Sequence, residues 1–296
     1  MKPAWESVPR VGPLSREEFY NGFVKPGRPV VMSGLTARWR AHDWGPEYFR
    51  TCAGSVRLPV KRGNVAEGRR VTVALADYAV ELEQHEQDLR SGQATQGPGY
   101  LHDVPLFRAH PPFRRDVEPF PLFLLPQWYH GNWWEYAQYF MGPTGSETPL
   151  HFDTLLTNNL FFHLAGRKQF TLLPASQREL CYPKGWRWAE FDPASPDYDR
   201  FPRAAKTTPV TVVLEPGDVL YMPPGTLHHV RNLSVCSSFN LDWHTAASAG
   251  RGVLSVLRGA PAKNGYYNLV SLAGLGLGVP SAYLYPFYRS YLTYVS

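Results

Sequence analysis

The chain has 296 residues, 44% hydrophobic and 19% charged, so it can bury a substantial core and does not have a disordered composition. Its net charge of +5 is scattered along the chain, so no nucleic-acid partner is predicted. Three widely separated cysteines exclude a disulfide framework and a zinc knuckle, and they predict a reducing, cytoplasmic location. The 28 prolines and 25 glycines favour many short strands and tight turns, hence a mainly β fold.

The first 126 residues are predicted to flank a core with short elements. Ser15 followed by Glu18 has the form of a capping box, in which side chains satisfy free backbone N–H groups, so a short helix is predicted to begin here. Three more segments follow from their patterns: a strand at 27–35, and helices at 44–52 and 73–87. The stretch from 92 to 126 is rich in glycine and proline and is expected to form loops and short strands.

Repeated short β-type runs from about 145 to 244 predict the core of a barrel. Early in this region, TPLHFDT places His151 and Asp153 two residues apart. In a strand this spacing points both side chains to one face, so they can share one metal ion. A lone HxD triplet is common by chance, and by itself it is read as a satisfied polar pair.

A second, more specific motif is GDVLYMPPGTLHHVRN at 217–232. It matches the second motif of cupin barrels, in which a strand, a Pro-Gly turn and a further strand bring a histidine into the barrel mouth. The matching positions are Gly217, Pro223, Gly225, His228 and Asn232. With His151 and Asp153, His228 completes a set of two histidines and one carboxylate, which is typical of non-heme iron(II) oxygenases.

Two further histidines are weighed against this set. His229 follows His228 and is predicted to point to the other strand face, outside the metal site, as an imidazole bonded at the barrel wall. His163 in LFFHLAG either lines the pocket or is a satisfied core histidine, and the residues leave both interpretations open.

From about 27 to 243 the chain resembles the JmjC-type, cupin-like oxygenases that depend on iron(II) and 2-oxoglutarate. The opening RPVVMSGLTARW and the two motifs above carry the resemblance. It implies a double-stranded β-helix, the cupin or jelly-roll core, with flanking N-terminal and C-terminal helices, and it implies Fe(II), 2-oxoglutarate and O2 as cofactor and co-substrates. The tract at 191–202, FDPASPDYDRFP, resembles the asparaginyl-hydroxylase branch typified by factor inhibiting hypoxia-inducible factor.

The resemblance also implies which residues hold 2-oxoglutarate at its distal carboxylate. Lys168 in GRKQF would pair with it, and the hydroxyls of Thr148 and Tyr100 would hydrogen-bond it. A dianionic keto acid needs a cation at its far end and a metal at its near end, so the assignment is physically coherent. The alternative for Lys168 is a solvated lysine at a strand edge.

Two asparagines match family positions near the metal and the keto-acid end, Asn159 and Asn240. The stretch between Asp153 and the first asparagine is two residues longer than in the usual family pattern. An even insertion preserves strand parity, so Asn159 and Lys168 still face inward. It also leaves Asn158 as an alternative to Asn159.

The implied reaction is hydroxylation of a C–H bond with release of succinate and CO2, first of all on an amino-acid side chain in a protein or peptide. An oxygenase of a small molecule or natural-product intermediate is the alternative. A metal-binding cupin that does not use 2-oxoglutarate has no use for Tyr100, Thr148 and Lys168 together. A non-catalytic binding module normally lacks a metal ligand, whereas all three are present here.

The predicted domain organisation is an oxygenase domain at 1–244 and a C-terminal helical tail at 245–296. Residues 264–288 contain no charged residue, but Pro280 and four glycines interrupt them, so no membrane span is predicted. In the family that the chain resembles, such a tail often pairs two subunits. A homodimer is therefore predicted.

Overall fold

The structure is a computed structural model that describes residues 5–66, 69–93 and 97–291. Strands form the centre of the molecule. In chain order they are β1 (Arg10–Val11), β2 (Val30–Ser33), β3 (Arg57–Arg62), β4 (Arg69–Ala74), β5 (Leu101–Val104), β6 (Ala137–Gly142), β7 (Glu147–His151), β8 (Asn158–Ala165), β9 (Lys168–Leu173), β10 (Pro183–Lys184), β11 (Trp188–Ala189), β12 (Val210–Leu214), β13 (Asp218–Met222), β14 (Leu227–Asn232) and β15 (Cys236–Trp243).

Helices lie before, between and after the strands. The α-helices are α1 (Arg16–Phe19), α2 (Pro46–Cys52), α3 (Leu75–Arg90), α4 (Leu106–Ala109), α5 (Ala246–Leu254), α6 (Ala262–Leu277) and α7 (Ser281–Tyr288). A π-helical turn follows α1 at Tyr20–Val24, and 3-10 turns occur at Arg40–Asp43, Pro111–Val117, Leu122–Leu124, Gln127–Tyr129, Trp133–Glu135, Ala175–Cys181, Pro202–Lys206 and Ser255–Arg258.

Two sheets form the jelly-roll core. The larger has the order β1-β2-β13-β8-β15-β6-β5, and the smaller has the order β10-β11-β7-β14-β9-β12. Every pairing is antiparallel except that of β1 with β2. The predicted double-stranded β-helix with flanking helices is confirmed. Four strands of the larger sheet precede residue 145, so its edges are built from the N-terminal part of the chain.

The larger sheet is buried on both faces, which explains why all residues of β13 and β15 are buried. On its outer face it packs on the N-terminal helices through a cluster of aromatic rings that includes Trp39, Trp44, Phe162 and Phe239. Its inner face meets the smaller sheet across a second, smaller apolar cluster. The polar cavity described below lies beside that second cluster.

The short flanking elements largely follow their local signals. Both hydrogen bonds of the capping box between Ser15 and Glu18 are formed, and α1 begins at the next residue. One side of α3 is buried, as its helical spacing predicts. The helix begins at Leu75 rather than at the predicted residue 73, because Val73 still pairs with Leu58 in a β-hairpin. Strand pairing therefore overrides helical spacing at this boundary.

Helices α5, α6 and α7 follow the last strand and pack against one another and against the barrel. Trp128 donates from its indole N–H to the carbonyl oxygen of Val279 (2.9 Å), which ties the end of α6 to the loops before β6. Within the described ranges, none of the helices combines the length and the apolar character needed to cross a bilayer.

Candidate metal centre

Two histidines face each other across neighbouring strands of the smaller sheet. His151 ends β7 and lies opposite His228 of β14, with ring centroids 4.1 Å apart. The Nδ1 of His151 donates to the carbonyl oxygen of Pro149 (2.8 Å), and that of His228 donates to the carbonyl oxygen of Thr226 (3.0 Å). Because a carbonyl oxygen only accepts hydrogen bonds, both Nδ1 atoms carry the proton. Both Nε2 lone pairs are therefore left for a metal ion.

Asp153 approaches the two histidines from the loop after β7. One ligand atom from each of the three residues lies within 4.8 Å of the others. The Oδ1 of Asp153 is 3.9 Å from the Nε2 of His228, and its Oδ2 accepts a hydrogen bond from the Nδ2 of Asn159 (3.1 Å). The asparagine thus orients the carboxylate and leaves one oxygen for an ion. The structure brings together the three residues that the sequence predicts.

Burial sets the protonation state of the two imidazoles. Burial, followed by the neighbouring His228, holds the pKa of His151 well below its ordinary value, and burial also lowers the pKa of His228. Neutral imidazole is the form that binds metal. Two neutral imidazoles and one carboxylate leave the remaining positions around an ion open, as in non-heme iron(II) sites. These residues fit a ferrous ion.

A buried lysine without an acidic partner lies at the other end of the same cavity. Lys168 begins β9 and is 0% exposed, and its Nζ donates to the Oη of Tyr100 (3.1 Å) and the Oγ of Ser238 (2.9 Å). Among the described residues, no carboxylate lies within ion-pair distance of this ammonium group. Burial lowers the pKa of Lys168 to about 8. A ligand carboxylate would supply the missing counter-charge.

Strand pairing sets the spacing between this ammonium group and the metal site. In one ladder, β9 pairs Lys168 with Asn232 and Leu172 with His228. The backbone positions of Lys168 and His228 are therefore four residues apart along the strand direction, which corresponds to roughly 13 Å. One extended lysine side chain and a five-carbon diacid together bridge a length of this order.

Thr148 also lines the cavity, although it lies three residues before His151. In a regular strand an odd separation points two side chains to opposite faces. Here the register of β7 with β14 shifts between His228 and Val230, so residues 148 to 151 oppose residues 228 to 230. This β-bulge returns Thr148 to the inner face. Its hydroxyl lies 3.2 Å from the Nε2 of His102.

The remaining predicted residues, Tyr100, Asn159 and Asn240, are buried in the cavity wall. Asn158 points to the opposite face of β8, where it accepts a hydrogen bond from the Oη of Tyr221 (2.8 Å), so Asn159 is the residue that faces the metal site. The Oδ1 atoms of Asn159 and Asn240 are buried and have no hydrogen-bond partner within the described residues. A polar ligand in the cavity would satisfy them.

Strand β15 contributes more to the cavity than the sequence motifs indicate. Ser238, Asn240 and Asp242 alternate along it and share its inner face. The Oδ1 of Asp242 accepts a hydrogen bond from the Nδ2 of Asn159 (2.9 Å). Burial, followed by the charge of Asp153, raises the pKa of Asp242 well above its ordinary value. The two-residue period of SSFNLDW is the signal that would have found Ser238 and Asp242.

A cluster of three ionisable residues supports the wall behind Thr148. Asp103 accepts a hydrogen bond from the Nδ1 of His102 (2.8 Å), and its Oδ2 is 3.8 Å from the Nζ of Lys61. Burial by itself raises the pKa of Asp103, but His102 and Lys61 outweigh it and hold this pKa below its ordinary value. No motif in the sequence joins these residues, because they come from separate strands, β3 and β5.

An arginine enters the cavity from the β10–β11 hairpin. Arg187 precedes Trp188, which lies opposite His151 in the strand register and whose ring centroid is 4.9 Å from that of His151. The guanidinium carbon of Arg187 is 4.8 Å from the centroid of the Trp188 ring. A single basic residue in a short hairpin has no periodic signal, so nothing in the sequence singles it out.

The C-terminal segment also reaches the cavity. Tyr291 lines it, is 3% exposed, and packs on Tyr267 and Tyr288 with ring centroids 5.6 and 5.3 Å away. The Nδ2 of Asn264 in α6 donates to the carbonyl oxygen of Thr154, the residue after the metal-site aspartate (2.8 Å). This part of the chain therefore forms one wall of the cavity, a role that the sequence does not predict.

The two histidines weighed against the metal site lie outside the cavity lining. The Nε2 of His229 contacts the carboxylate of Glu147 on the other face of the smaller sheet, as the alternation of side chains requires. The Nε2 of His163 donates to the carbonyl oxygen of Gly166 (2.8 Å), and burial lowers the pKa of His163 to about 3. Of the two interpretations left open for His163, the core histidine is the one that the structure supports.

Sequence comparison covers every named strand except β1. The profile of the Cupin-like domain family matches residues 15–249, from the first α-helix to beyond the last strand. The chain belongs to the Cupin-like domain family. Tyr291, which lines the cavity, and Asn264, which bonds to the backbone of Thr154, lie outside the Cupin-like domain match, whereas the metal-site triad lies inside it.

Three curated proteins similar to this chain illustrate the range of names. Lysine-specific demethylase 8 of Danio rerio is 27% identical over 245 residues, covering 80% of this chain and 58% of that protein. The 2-oxoglutarate and iron-dependent oxygenase JMJD4 of Gallus gallus is 26% identical over 258 residues, covering 80% and 59%. Arginine-specific demethylase JMJ20 of Arabidopsis thaliana is 27% identical over 265 residues, covering 79% and 56%.

The chain therefore spans between 56% and 59% of the length of these three relatives. Their names describe two demethylases specific for lysine and arginine, and one oxygenase that depends on iron and 2-oxoglutarate. The similarity establishes the family, whereas the activity of this chain depends on the residues of its own site.

Replacing adjacent histidines of β14 tests the metal assignment. We expect His228→Ala to weaken Mn(II) or Fe(II) binding by more than about 100-fold, because losing an outer partner of a metal ligand already costs 10- to 100-fold. His229→Ala is the matched control and should keep the affinity, since its side chain faces away from the site. Anaerobic titration calorimetry measures both. Equal losses in the two variants would contradict the assignment.

Proposed function

We propose that this chain is an Fe(II)- and 2-oxoglutarate-dependent oxygenase that hydroxylates a C–H bond of an amino-acid side chain in a protein or peptide. O2 is the second co-substrate, and succinate and CO2 are the released products. One observation carries the proposal: a single cavity has a His-Asp-His triad at one end and the unpaired, buried ammonium group of Lys168 at the other. A keto acid that chelates a metal needs both.

In this proposal His151, Asp153 and His228 hold the iron through Nε2, a carboxylate oxygen and Nε2. When bound, the iron supplies the oxygen activation that no amino-acid side chain can provide. The chain's own share is to orient these ligands. The carbonyl oxygens of Pro149 and Thr226 fix the histidine tautomers at 2.8 and 3.0 Å, and Asn159 fixes the carboxylate.

Lys168 binds the distal carboxylate of 2-oxoglutarate, with the hydroxyls of Tyr100 and Thr148 beside it. The cation and the hydroxyl donors recognise a carboxylate by charge-assisted hydrogen bonds, which are about twice as strong as neutral ones. Lys168, Tyr100 and Thr148 are all buried, so they would meet the keto acid with little competition from solvent. The side chains of Asn159 and Asn240 also line this cavity. Their buried Oδ1 atoms accept hydrogen bonds, so they are left for donor groups of a substrate or of water, because the oxygens of the keto acid are all acceptors.

A protein or peptide side chain is the substrate class that the relatives favour. Two of them are named for lysine and arginine, which are amino-acid residues, and the third for its dependence on iron and 2-oxoglutarate. The resemblance of 191–202 to an asparaginyl-hydroxylase tract stays a prediction, and so does the choice of residue that is modified.

Succinate formation tests the reaction class. Purified protein supplied with Fe(II), 2-oxoglutarate, air and ascorbate should release succinate, because ascorbate supplies the two electrons that a substrate C–H bond would otherwise provide when O2 oxidises the keto acid. Asp153→Ala should reduce it to background by removing one metal ligand. Asp192→Ala, a half-exposed aspartate near His229 on the outer face, is the control and should retain it. Wild-type protein that releases no succinate would contradict the proposed function.

The pH dependence of 2-oxoglutarate binding tests the role of Lys168. Its pKa of about 8 without ligand means that the ammonium form is present at pH 7 and is lost as the pH rises through 8. Since the dianion binds the charged form, Kd should rise above pH 8 by up to about tenfold per pH unit. Calorimetry with redox-inert Mn(II) measures this Kd at pH 6.5 to 9.5, a range that extends roughly one unit or more to each side of the lysine pKa.

Two variants complete this test. Lys168→Gln should bind 2-oxoglutarate at least about tenfold more weakly at pH 7, with little dependence on pH, since a charge-assisted bond of 1.5–3 kcal/mol is lost. Lys206→Gln, at an exposed lysine, should behave as wild type. An unchanged affinity in Lys168→Gln would show that another residue holds the carboxylate.

We propose the division into an oxygenase domain at 1–244 and a tail at 245–296, with the tail pairing two copies of the chain. Apolar side chains on its helices and turns are strongly exposed, which is costly for an isolated surface. They include Leu254, Leu257, Leu269, Leu277, Tyr283 and Phe287, each at least 56% exposed. A second copy of the same face would cover them.

Light scattering tests the pairing. Wild-type protein should have the mass of a dimer, and Leu277→Glu should shift it to monomer, because a charge would be buried at the interface. Leu277 is 81% exposed, so the substitution is compatible with the folded monomer. The matched control is Leu89→Glu at an exposed leucine of α3, which should leave the mass unchanged. A wild-type monomer would count against the dimer.

We also propose a reducing cytoplasmic location. The proposal is supported by the cysteines: Cys52, Cys181 and Cys236 are all free, so this chain of 33.5 kDa has no disulfide among them. Cys181 and Cys236 are buried, and burial raises the pKa of Cys181 to about 12, so its reactive thiolate is rare. Cysteines of this kind need no oxidising compartment.

A further inference from the structure

Arg187 points into the metal cavity from a hairpin that is tied to the metal strand. The backbone N–H of Phe152 donates to the carbonyl oxygen of Arg187 (3.1 Å), and the next residue, Trp188, lies opposite His151. The guanidinium carbon lies 4.8 Å from the centre of the Trp188 ring. The position of this cation is therefore set by the same strand pairing that sets the metal site.

The guanidinium group has no protein partner where the structure is described. Its Nε is buried and makes no hydrogen bond, and neither of its other nitrogens forms a hydrogen bond or an ion pair with described residues. A buried N–H without a partner destabilises the folded state, so a native protein keeps one where a ligand or a water molecule supplies the acceptor. This is a second cation in the cavity, separate from Lys168.

Each carboxylate that lines the cavity already has a partner of its own. Asp103 is bonded to His102 and lies 3.8 Å from Lys61, and the Oδ1 of Asp242 accepts from Asn159. Asp153 belongs to the metal site. None of them lies within ion-pair distance of Arg187 in the portion of the chain that is described. Arg187 therefore lacks a direct counter-ion among the described residues and acts on Asp103 and Asp242 only at longer range.

We propose that Arg187 binds a carboxylate of the primary substrate and so selects substrates that carry one beside the reacting C–H bond. This inference rests on the proposed function and adds the chemistry that the site recognises. Arginine presents parallel N–H donors that match a carboxylate in a bidentate pair, which lysine cannot reproduce. In a peptide, the carboxylate comes either from an aspartate or glutamate side chain or from the chain end.

Three pools of short randomised peptides separate these sources. The first is amidated at the C-terminus and lacks Asp and Glu, the second has the same composition with a free C-terminal carboxylate, and the third is amidated and includes Asp and Glu. Succinate formed above the level without peptide is measured with full-length protein, Fe(II) and 2-oxoglutarate. The result for each enzyme is the ratio of the stimulation by a carboxylate pool to the stimulation by the first pool.

In wild-type protein, one of the two carboxylate pools should stimulate at least about tenfold more than the first pool, because a charge-assisted pair contributes 1.5–3 kcal/mol. Arg187→Gln should bring this ratio close to one. Arg187→Lys should give an intermediate ratio, since it keeps the charge and loses the bidentate geometry. The matched control is Arg200→Gln, because the exposed Arg200 also lies 4.8 Å from an aromatic ring, that of Phe201, but outside the cavity. It should keep the wild-type ratio.

The outcomes separate the two levels of the proposal. A wild-type enzyme that releases succinate but shows no preference for a carboxylate pool would overturn the role of Arg187. An unchanged preference in Arg187→Gln would also overturn it. So would a variant whose lower succinate formation is explained entirely by weaker 2-oxoglutarate binding in calorimetry. Wild-type protein that releases no succinate under any condition would instead count against the oxygenase function.

Discussion

The antiparallel pairing of β14 with β7 on one side and β9 on the other is the constraint on which the site depends. Through β7 it places His151 opposite His228, and through β9 it places Lys168 four residues further along the same ladder. Backbone hydrogen bonds hold these registers, and a one-residue slip would turn every side chain to the other face. The distance between the metal site and the cation is therefore a property of the sheet rather than of flexible loops.

The cost of this arrangement is a polar cavity inside an apolar barrel. Lys168 is buried among the rings of Tyr100, Phe140 and Phe161 without an acidic partner, and the amide oxygens of Asn159 and Asn240 lack donors within the described structure. Unpaired buried groups destabilise a folded protein, and they persist where ligands complete them. The distribution is asymmetric: ligand nitrogens and carboxylates gather at one end, and the ammonium group lies at the other. That asymmetry matches a molecule with a chelating end and a charged end.

The parts of the cavity that would contact a substrate come from outside the common strands. Arg187 belongs to a short hairpin between β9 and β12, and Tyr291 belongs to the C-terminal segment beyond the Cupin-like match. Loops and appended segments vary on a constant scaffold, and this variation is how one fold serves different substrates. In the proposed function, the strands supply the residues that hold the metal and the keto acid, whereas the hairpin and the tail supply residues that face the substrate. Helices of the tail have two faces, one against the cavity and one exposed.

The amino-acid sequence by itself determines the barrel, the metal triad and the lysine. The barrel and His228 follow from periods of two residues within strands and from a turn motif of fixed spacing, both of which are local. The HxD triplet supplies His151 and Asp153, although Asp153 lies in the loop after β7, and the role of Lys168 is implied by the resemblance to the oxygenase family. Parity also separates His228 from His229, although it does not choose between Asn158 and Asn159, because that choice depends on the length of the loop after Asp153. The same local alternation in SSFNLDW puts Ser238 and Asp242, two residues before and two residues after Asn240, on the face of Asn240.

Tertiary structure alone decided the rest. Thr148 faces the cavity because of a bulge that appears in the pairing of two strands and in neither strand separately. The adjacent pair His102 and Asp103, Arg187 and Tyr291 come together from three segments far apart in the chain. Their positions depend on how loops and helices pack on the finished barrel. Strand alternation is written in neighbouring residues, whereas packing between distant segments is a property of the folded chain as a whole.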